Sequence, residues 1–299
     1  MKPRRPSRGR SDMAQMIVSG IALGAIYGLV ALGIVLVFKA TGVLNFAHGE
    51  AVMISTFVAL SLVRLGLPYW LVVLGTLAFA ALFGLAIERL IIRRFIGKSL
   101  LVSGIATLGL FLLFGDVAVW IWGKDPFDFP GPFSQAPINV WGVAISAADL
   151  GIVGTAAVLA GALFAFFRFT RLGVAMQASM ENPVAAQLMG IPIRRVYALA
   201  WMLSHMIGAI AGLLIAPVTF LHFTMMQHVL HFAFASAVLG GVFSLPGSLL
   251  GGIIIGITAN LTGFYVSSAW KEVVPFAVML AILILKPHGL LAVRHVKKV

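Results

Sequence analysis

Asn45, His48 and Glu50 lie close together in Leu44-Asn-Phe-Ala-His-Gly-Glu50, inside a segment that is otherwise apolar from 43 to 63. An imidazole near a carboxylate is the chemistry of a proton relay and could supply part of a metal shell. Ionisable groups within hydrocarbon are costly unless they face protein or water. Three roles are therefore open for Asn45, His48, Gly49 and Glu50: stabilising a break in a helix, lining a translocation route, or metal or proton chemistry. No second His–carboxylate cluster is evident from spacing, and His205 stands alone on an apolar helix, where a buried histidine with satisfied hydrogen bonds is expected. The chain has no G-x-x-x-x-G-K-[ST], H-E-x-x-H or G-x-S-x-G motif, so neither P-loop binding of ATP nor intrinsic enzymatic activity is expected. It has no cysteine, which excludes disulfides, thiolate nucleophiles and Cys-based metal sites.

A second group of residues points to mechanical rather than covalent chemistry. Residues 168–195 form a long polar stretch in a chain that otherwise reads as bilayer, with Arg168 and Arg171 at one end and Arg194 and Arg195 at the other. Within it, Ser179 or Asn182 can cap a short amphipathic helix, Pro183 suits its first turn, and Gly190 before Ile191-Pro192 ends it. Val184, Leu188 and Ile191 fall on one stripe, with Glu181 and Gln187 facing elsewhere. Such a helix either lies on the membrane surface or docks into the groove of a soluble partner.

Small residues set how the helices that position these groups pack. Gly20, Gly24 and Gly28 recur four apart, as do Gly247/Gly251 and Gly252/Gly256, the spacing that lets backbones approach. Gly240, Gly241, Gly247, Gly251 and Gly252 read as tight packing within one subunit or as a bendable hairpin beside a pathway or a partner subunit.

The elements themselves follow from composition. The 299 residues are 61% hydrophobic and 10% charged, with a mean hydropathy of +1.07, which places the chain among all-α polytopic membrane proteins. Runs 13–38, 69–87, 99–115 and 150–167 contain no charged residue or histidine and fit one crossing each. The run 232–270 is about twice as long as one crossing and must turn, most simply at Ser244-Leu-Pro-Gly247. The net charge of +12 is explained by the positive-inside bias and anionic headgroups rather than by nucleic acid.

Arg89, Arg93, Arg94 and Lys98, the arginines of 168–195, and Lys286, Arg294, Lys297 and Lys298 all fit the cytoplasmic side. The expectation is eight spanning helices plus one broken or re-entrant segment at 43–63, within a permease domain at 13–287. A basic cytoplasmic tail at 1–12, a coupling loop at 168–195, an external loop at 124–148 that could include a short interfacial helix, and a basic cytoplasmic tail at 288–299 complete it. The alternative is nine spans with the N-terminal tail outside.

Laid out in this way, the chain resembles the permease subunits of branched-chain amino acid ABC importers, of the H type. The motifs that carry the resemblance are Leu44-Asn-Phe-Ala-His-Gly-Glu50, Glu181-Asn-Pro-Val-Ala-Ala-Gln-Leu-Met-Gly-Ile191 and the Gly-rich stretch Ala237 to Gly252. The resemblance implies that Glu181, Asn182, Ala185, Ala186, Leu188, Met189, Gly190 and Ile191 form a coupling helix seated on a separate ATP-binding cassette subunit, which binds ATP and Mg; no cofactor is expected in this chain. It also implies a second related permease, an extracytoplasmic substrate-binding protein and a multi-pass place in the bacterial inner membrane among membrane lipid, with no nucleic-acid partner. Urea and short-amide importers use similar permeases, and a self-powered secondary transporter or channel is the rival from another class.

Overall fold

The computed structural model describes residues 8–134, 136–140, 143–241 and 244–291. Eleven helices follow in order: α1 (Arg8–Thr41), α2 (His48–Arg64), α3 (Tyr69–Leu90), α4 (Leu100–Trp122), α5 (Ala147–Phe169), α6 (Arg171–Glu181), α7 (Pro183–Leu188), α8 (Ile193–Thr219), α9 (Met225–Gly240), α10 (Leu245–Tyr265) and α11 (Val273–Leu285). Among the described residues, seven helical stretches are long and apolar enough to cross a membrane, and α9 is a shorter apolar helix. With the segment through α2 as a ninth, partly unwound element, this is the all-α, multi-pass membrane protein expected from the sequence.

The centre of the bundle is α1 and α8, whose apolar stretches are mostly buried, whereas those of α5 and α11 are largely exposed. Central burial of α1 follows from its Cβ-less face. A Cβ on Gly24 would lie 2.6 Å from the Gly252 carbonyl oxygen, and one on Gly20 would lie 2.8 Å from Ile257 Cα. Helices α1 and α10 therefore run antiparallel with their backbones in contact, where packing rather than the hydrophobic effect holds apolar helices together.

Side-chain contacts identify the two ends of the bundle. Lys39, near the end of α1, pairs with Glu181 at 3.5 Å, so the last turn of α1 belongs to the end that carries α6 and α7. At the other end, Ser19 donates to Asp149 Oδ2 at 2.8 Å and the Asn260 side-chain amide donates to the Met16 carbonyl at 2.6 Å. The start of α1 is thus at the end opposite the 168–195 segment, the arrangement of the nine-span alternative. The physical reason is the middle element. Helix α2 does not re-enter but continues to the far end, where Arg64 stacks over Phe127 at 4.5 Å and the Trp122 indole donates to Ser61 at 3.0 Å. Three crossings therefore separate the start of α1 from Arg89, Arg93 and Arg94. Residues 1–7 of the N-terminal tail and 292–299 of the C-terminal tail, including Arg294, Lys297 and Lys298, lie outside the described residues.

In the loop at 124–148 the structure places a hairpin, not an interfacial helix. Pro137–Val140 (β1) and Val143–Ser146 (β2) pair antiparallel, with Pro137 opposite Ser146, as expected of Ile- and Val-rich residues around a turn. Trp141 and Gly142 at its tip lie outside the described residues.

Candidate functional site

The chain interrupts its helices at the two places singled out in the sequence, one between α1 and α2 and one between α5 and α8. At the first, α1 ends at Thr41, Gly42 takes a φ of +69°, and the chain runs non-helical until α2 begins at His48. Backbone polar groups buried at such depth must find partners inside the protein. One α4 side chain supplies two of them: the Thr107 hydroxyl lies 2.8 Å from the Leu44 carbonyl oxygen and accepts the Phe46 amide at 3.3 Å. Thr107 is fully buried.

Asn45 in the break and His48, Gly49 and Glu50 in the first turn of α2 are buried but do not share one site. His48, fully buried, packs edge-on against His205 of α8, with ring centroids 5.5 Å apart. Room for it comes from glycines, since a Cβ on Gly33 would lie 2.7 Å from His48 Nε2 and one on Gly208 would lie 3.2 Å from it. His205 donates from Nδ1 to the Trp201 carbonyl at 2.8 Å, so half of the expected satisfaction is met. Both nitrogens of His48, His205 Nε2, Trp201 Nε1, Asn45 Oδ1 and Glu50 Oε2 are buried without a protein hydrogen-bond partner. Glu50 lies instead beside the Gln227 side chain of α9, and its place in the first turn of α2 suits the helix dipole. Gly49 faces α9 too: a Cβ there would lie 3.3 Å from the Leu230 side chain. Among the described residues no three His, Asp or Glu side chains come close enough to hold a metal ion.

Sequence reasoning alone did not pick out Thr107, Trp201, Ser204, His205 and Gln227 as partners of this region. A usable signal existed in α8, where Ser204, Gly208 and Gly212 recur four apart. Ser204 donates to the Gly33 carbonyl at 2.8 Å, and Cβ atoms on Gly208 and Gly212 would press on Val52 and Thr56 of α2.

At the coupling end the interruption is solved by local capping. Thr170 accepts the Gly173 amide at 2.9 Å and so caps α6, whose Gly173, Met176 and Ser179 are buried at three-residue spacing. Asn182 Oδ1 accepts the Ala185 amide at 3.0 Å and caps α7. Of the two candidate caps, Asn182 is the one used; buried Ser179 donates back to Ala175 at 2.9 Å. The expected single helix is split in two because Pro183 bars helical backbone at the residue before it, and Asn182 is extended, with φ −148° and ψ 95°. Helix α7 closes with Gly190 at φ +82°. The Gly190 amide bonds to Gln187 at 3.0 Å and the Ile191 amide to Ala186 at 3.0 Å, the paired bonds of a Schellman motif.

This geometry sorts the coupling residues into two faces. Ala186 is buried and Ile191 packs on the core, so Ile191 leaves the expected stripe. Val184, Leu188 and Met189 project, with Leu188 and Met189 each 84% exposed. Glu181 meets Lys39, and α6 packs on α1, α5 and α8.

The hairpin glycines are set backbone to backbone. A Cβ on Gly240 or Gly247 would collide with the other's main chain, and one on Gly251 with Ser236. Gly241 has φ +102°, and Gly252 packs on α1 at Gly24 and Gly28. The carbonyls of Leu239 and Gly240 at the end of α9 accept the amides of Leu290 and Leu291 at 2.9 and 3.2 Å. Val242 and Phe243, in the middle of this motif, lie outside the described residues.

Comparison with known proteins gives this arrangement a family. The family described as branched-chain amino acid transport system / permease component matches residues 16–283. The chain is 32% identical to the high-affinity branched-chain amino acid transport system permease protein LivH of Escherichia coli, over 95% of this chain and 97% of that protein. It is 27% identical to BraD of Pseudomonas aeruginosa with the same shares covered, and 28% identical to the fructose import permease protein FruG of Bifidobacterium longum, over 86% of this chain and 78% of that one. No solved structure matches. The chain belongs to the branched-chain amino acid transport permease family.

Proposed function

We propose that this chain forms, with a second related permease, the membrane pathway of an ATP-driven importer of branched-chain amino acids, and that it is driven through α7 by ATP-binding cassette subunits in the cytoplasm. The observation that carries the reading is the capped six-residue helix α7, which holds Val184, Leu188 and Met189 out from the bundle. Apolar side chains displayed on a short, rigid helix suit a groove in a partner better than open water. ATP and Mg belong to that partner, and an extracytoplasmic binding protein delivers substrate.

The route from motor to pathway is short. Movement of α7 reaches α6, α6 abuts the end of α1 through Glu181 and Lys39, and α1 stops directly before the break that carries Asn45, His48, Gly49 and Glu50. A pathway lined by the break would offer Glu50 and Gln227 to the ammonium and carboxylate of an amino acid. ATP can bias the pathway only through contacts that differ between its two states, and α7 is where such contacts would act. With the coupling end in the cytoplasm, the start of α1 faces the outside.

The test is reconstitution of the complex in proteoliposomes. Uptake of leucine that requires ATP, is competed by isoleucine and valine and is not competed by urea or acetamide supports the reading. Competition by urea moves the substrate to the amide class, and uptake that survives removal of the ATPase and collapses with the proton gradient replaces it with a self-powered transporter.

A further inference from the structure

Helix α5 packs on α1, α6 and β2 and faces α3 and α8 across an apolar cleft. A separate cleft of about 340 Å³ lies between α3 and α8 nearer the 168–195 end, lined by Arg89 and Arg93 of the α3 end and by Arg194 and Arg195 of α8, beside Leu85 and Met202. Arg93 is already committed: its Nε and Nη2 hold both oxygens of the fully buried Glu88 at 3.0 and 2.7 Å. None of the ion pairs among the described residues involves Arg89, Arg194 or Arg195. Higher up, α3, α5 and α8 line the apolar cleft of about 290 Å³, whose walls include Leu77, Leu163, Phe166, Leu203 and Ile210 and are almost wholly apolar.

The two clefts follow one line. From Arg195 to Ile210 along α8 is about 22 Å at 1.5 Å per residue, roughly a headgroup plus one leaflet of a bilayer with about 30 Å of hydrocarbon. Three uncompensated guanidiniums with forked donors suit a phosphate, and an apolar gap beyond them needs atoms to fill it.

From this alignment we infer that the α3–α5–α8 cleft is a binding site for an anionic phospholipid of the leaflet at the coupling end, its phosphate held by Arg89, Arg194 and Arg195 and one acyl chain laid against Leu203 and Ile210. The acyl chain fills the apolar gap between α5 and α8.

The test is phospholipid that co-purifies with the assembled transporter, quantified by mass spectrometry against the source membrane. Wild type should be enriched in phosphatidylglycerol or cardiolipin over phosphatidylethanolamine by about tenfold, as expected for several basic side chains at one headgroup. Arg89→Gln/Arg194→Gln/Arg195→Gln should return to the membrane ratio, Leu203→Trp should lose the enrichment by filling the tail cleft with the arginines intact, and Lys98→Gln should leave it unchanged. Wild type at the membrane ratio overturns the site. Enrichment lost in the triple variant but kept in Leu203→Trp also overturns it, because it leaves only a small-anion site. So does a cross-link from Leu203→Cys to another protein chain.

Discussion

The two interruptions of this chain, at 41–48 and at 169–193, solve one problem in opposite ways. Each leaves helix ends with unpaired amides and carbonyls. At membrane depth the chain borrows from a distant helix, with Thr107 serving both Leu44 and Phe46. At the coupling end it satisfies itself, with Thr170, Asn182 and the Gly190 turn each acting within a few residues. The buried break depends on the assembled bundle and keeps polar atoms of Asn45, His48 and Glu50 in reserve. The coupling helices carry their own shape and can present it to a partner. The proposed function uses both: the break as a pathway that reshapes when helices shift, and α7 as a handle that does not deform when pulled.

That contrast is sharpened by substitutions on either side. The largest effect is expected at Gly190, where a Cβ would meet nothing within 4 Å but φ is +82°, so backbone strain and not bulk decides. Gly190→Val should abolish ATP-driven uptake at normal membrane abundance, since a β-branched residue at positive φ costs about 1–3 kcal/mol, more than so short a helix can absorb. Gly190→Asn should keep most transport, and equal uptake by the two variants would break the argument.

Next comes Thr107→Val, which strands two backbone groups and should destabilise the protein by about 1–3 kcal/mol. Its thermal unfolding should fall while Thr107→Ser stays near wild type. Asn182→Ala should cost about 1 kcal/mol and act locally, seen as faster amide exchange across 183–188 with the melting temperature of the bundle unchanged. The smallest effect belongs to Lys39→Ala, because Glu181 is half exposed and such pairs contribute about 0–1 kcal/mol; any drop in uptake should vanish at high salt.

What the sequence made legible was local. The apolar runs, the cap at Asn182 and the stop at Gly190 are written in neighbouring residues, and the structure has a cap and a turn at these two positions, while the interruption after α1 falls at 42–47, ahead of His48 to Glu50. Pairings across the bundle were hidden. Nothing near His48 announces His205, and nothing near Leu44 announces Thr107, because helical periodicity shows which face is apolar but not which helix covers it. The end of the bundle at which α1 starts was hidden for a related reason. Charge counting treats 43–63 as one unit, while the structure shows a half-unwound crossing whose length is completed by α2. The split of α6 from α7 was legible in Asn182-Pro183, since the proline that suits a first turn also forbids helix before it.

The central claim, that a soluble motor grips α7, is tested most directly by site-specific cross-linking in the assembled complex, which the absence of native cysteine makes clean. Leu188→Cys, on the projecting face, should cross-link to the ATP-binding subunit, with a yield that changes on ATP addition, while Ala186→Cys, buried against the bundle, should not. A Leu188→Cys that ignores the ATPase and is instead quenched by lipid-borne probes would contradict the account.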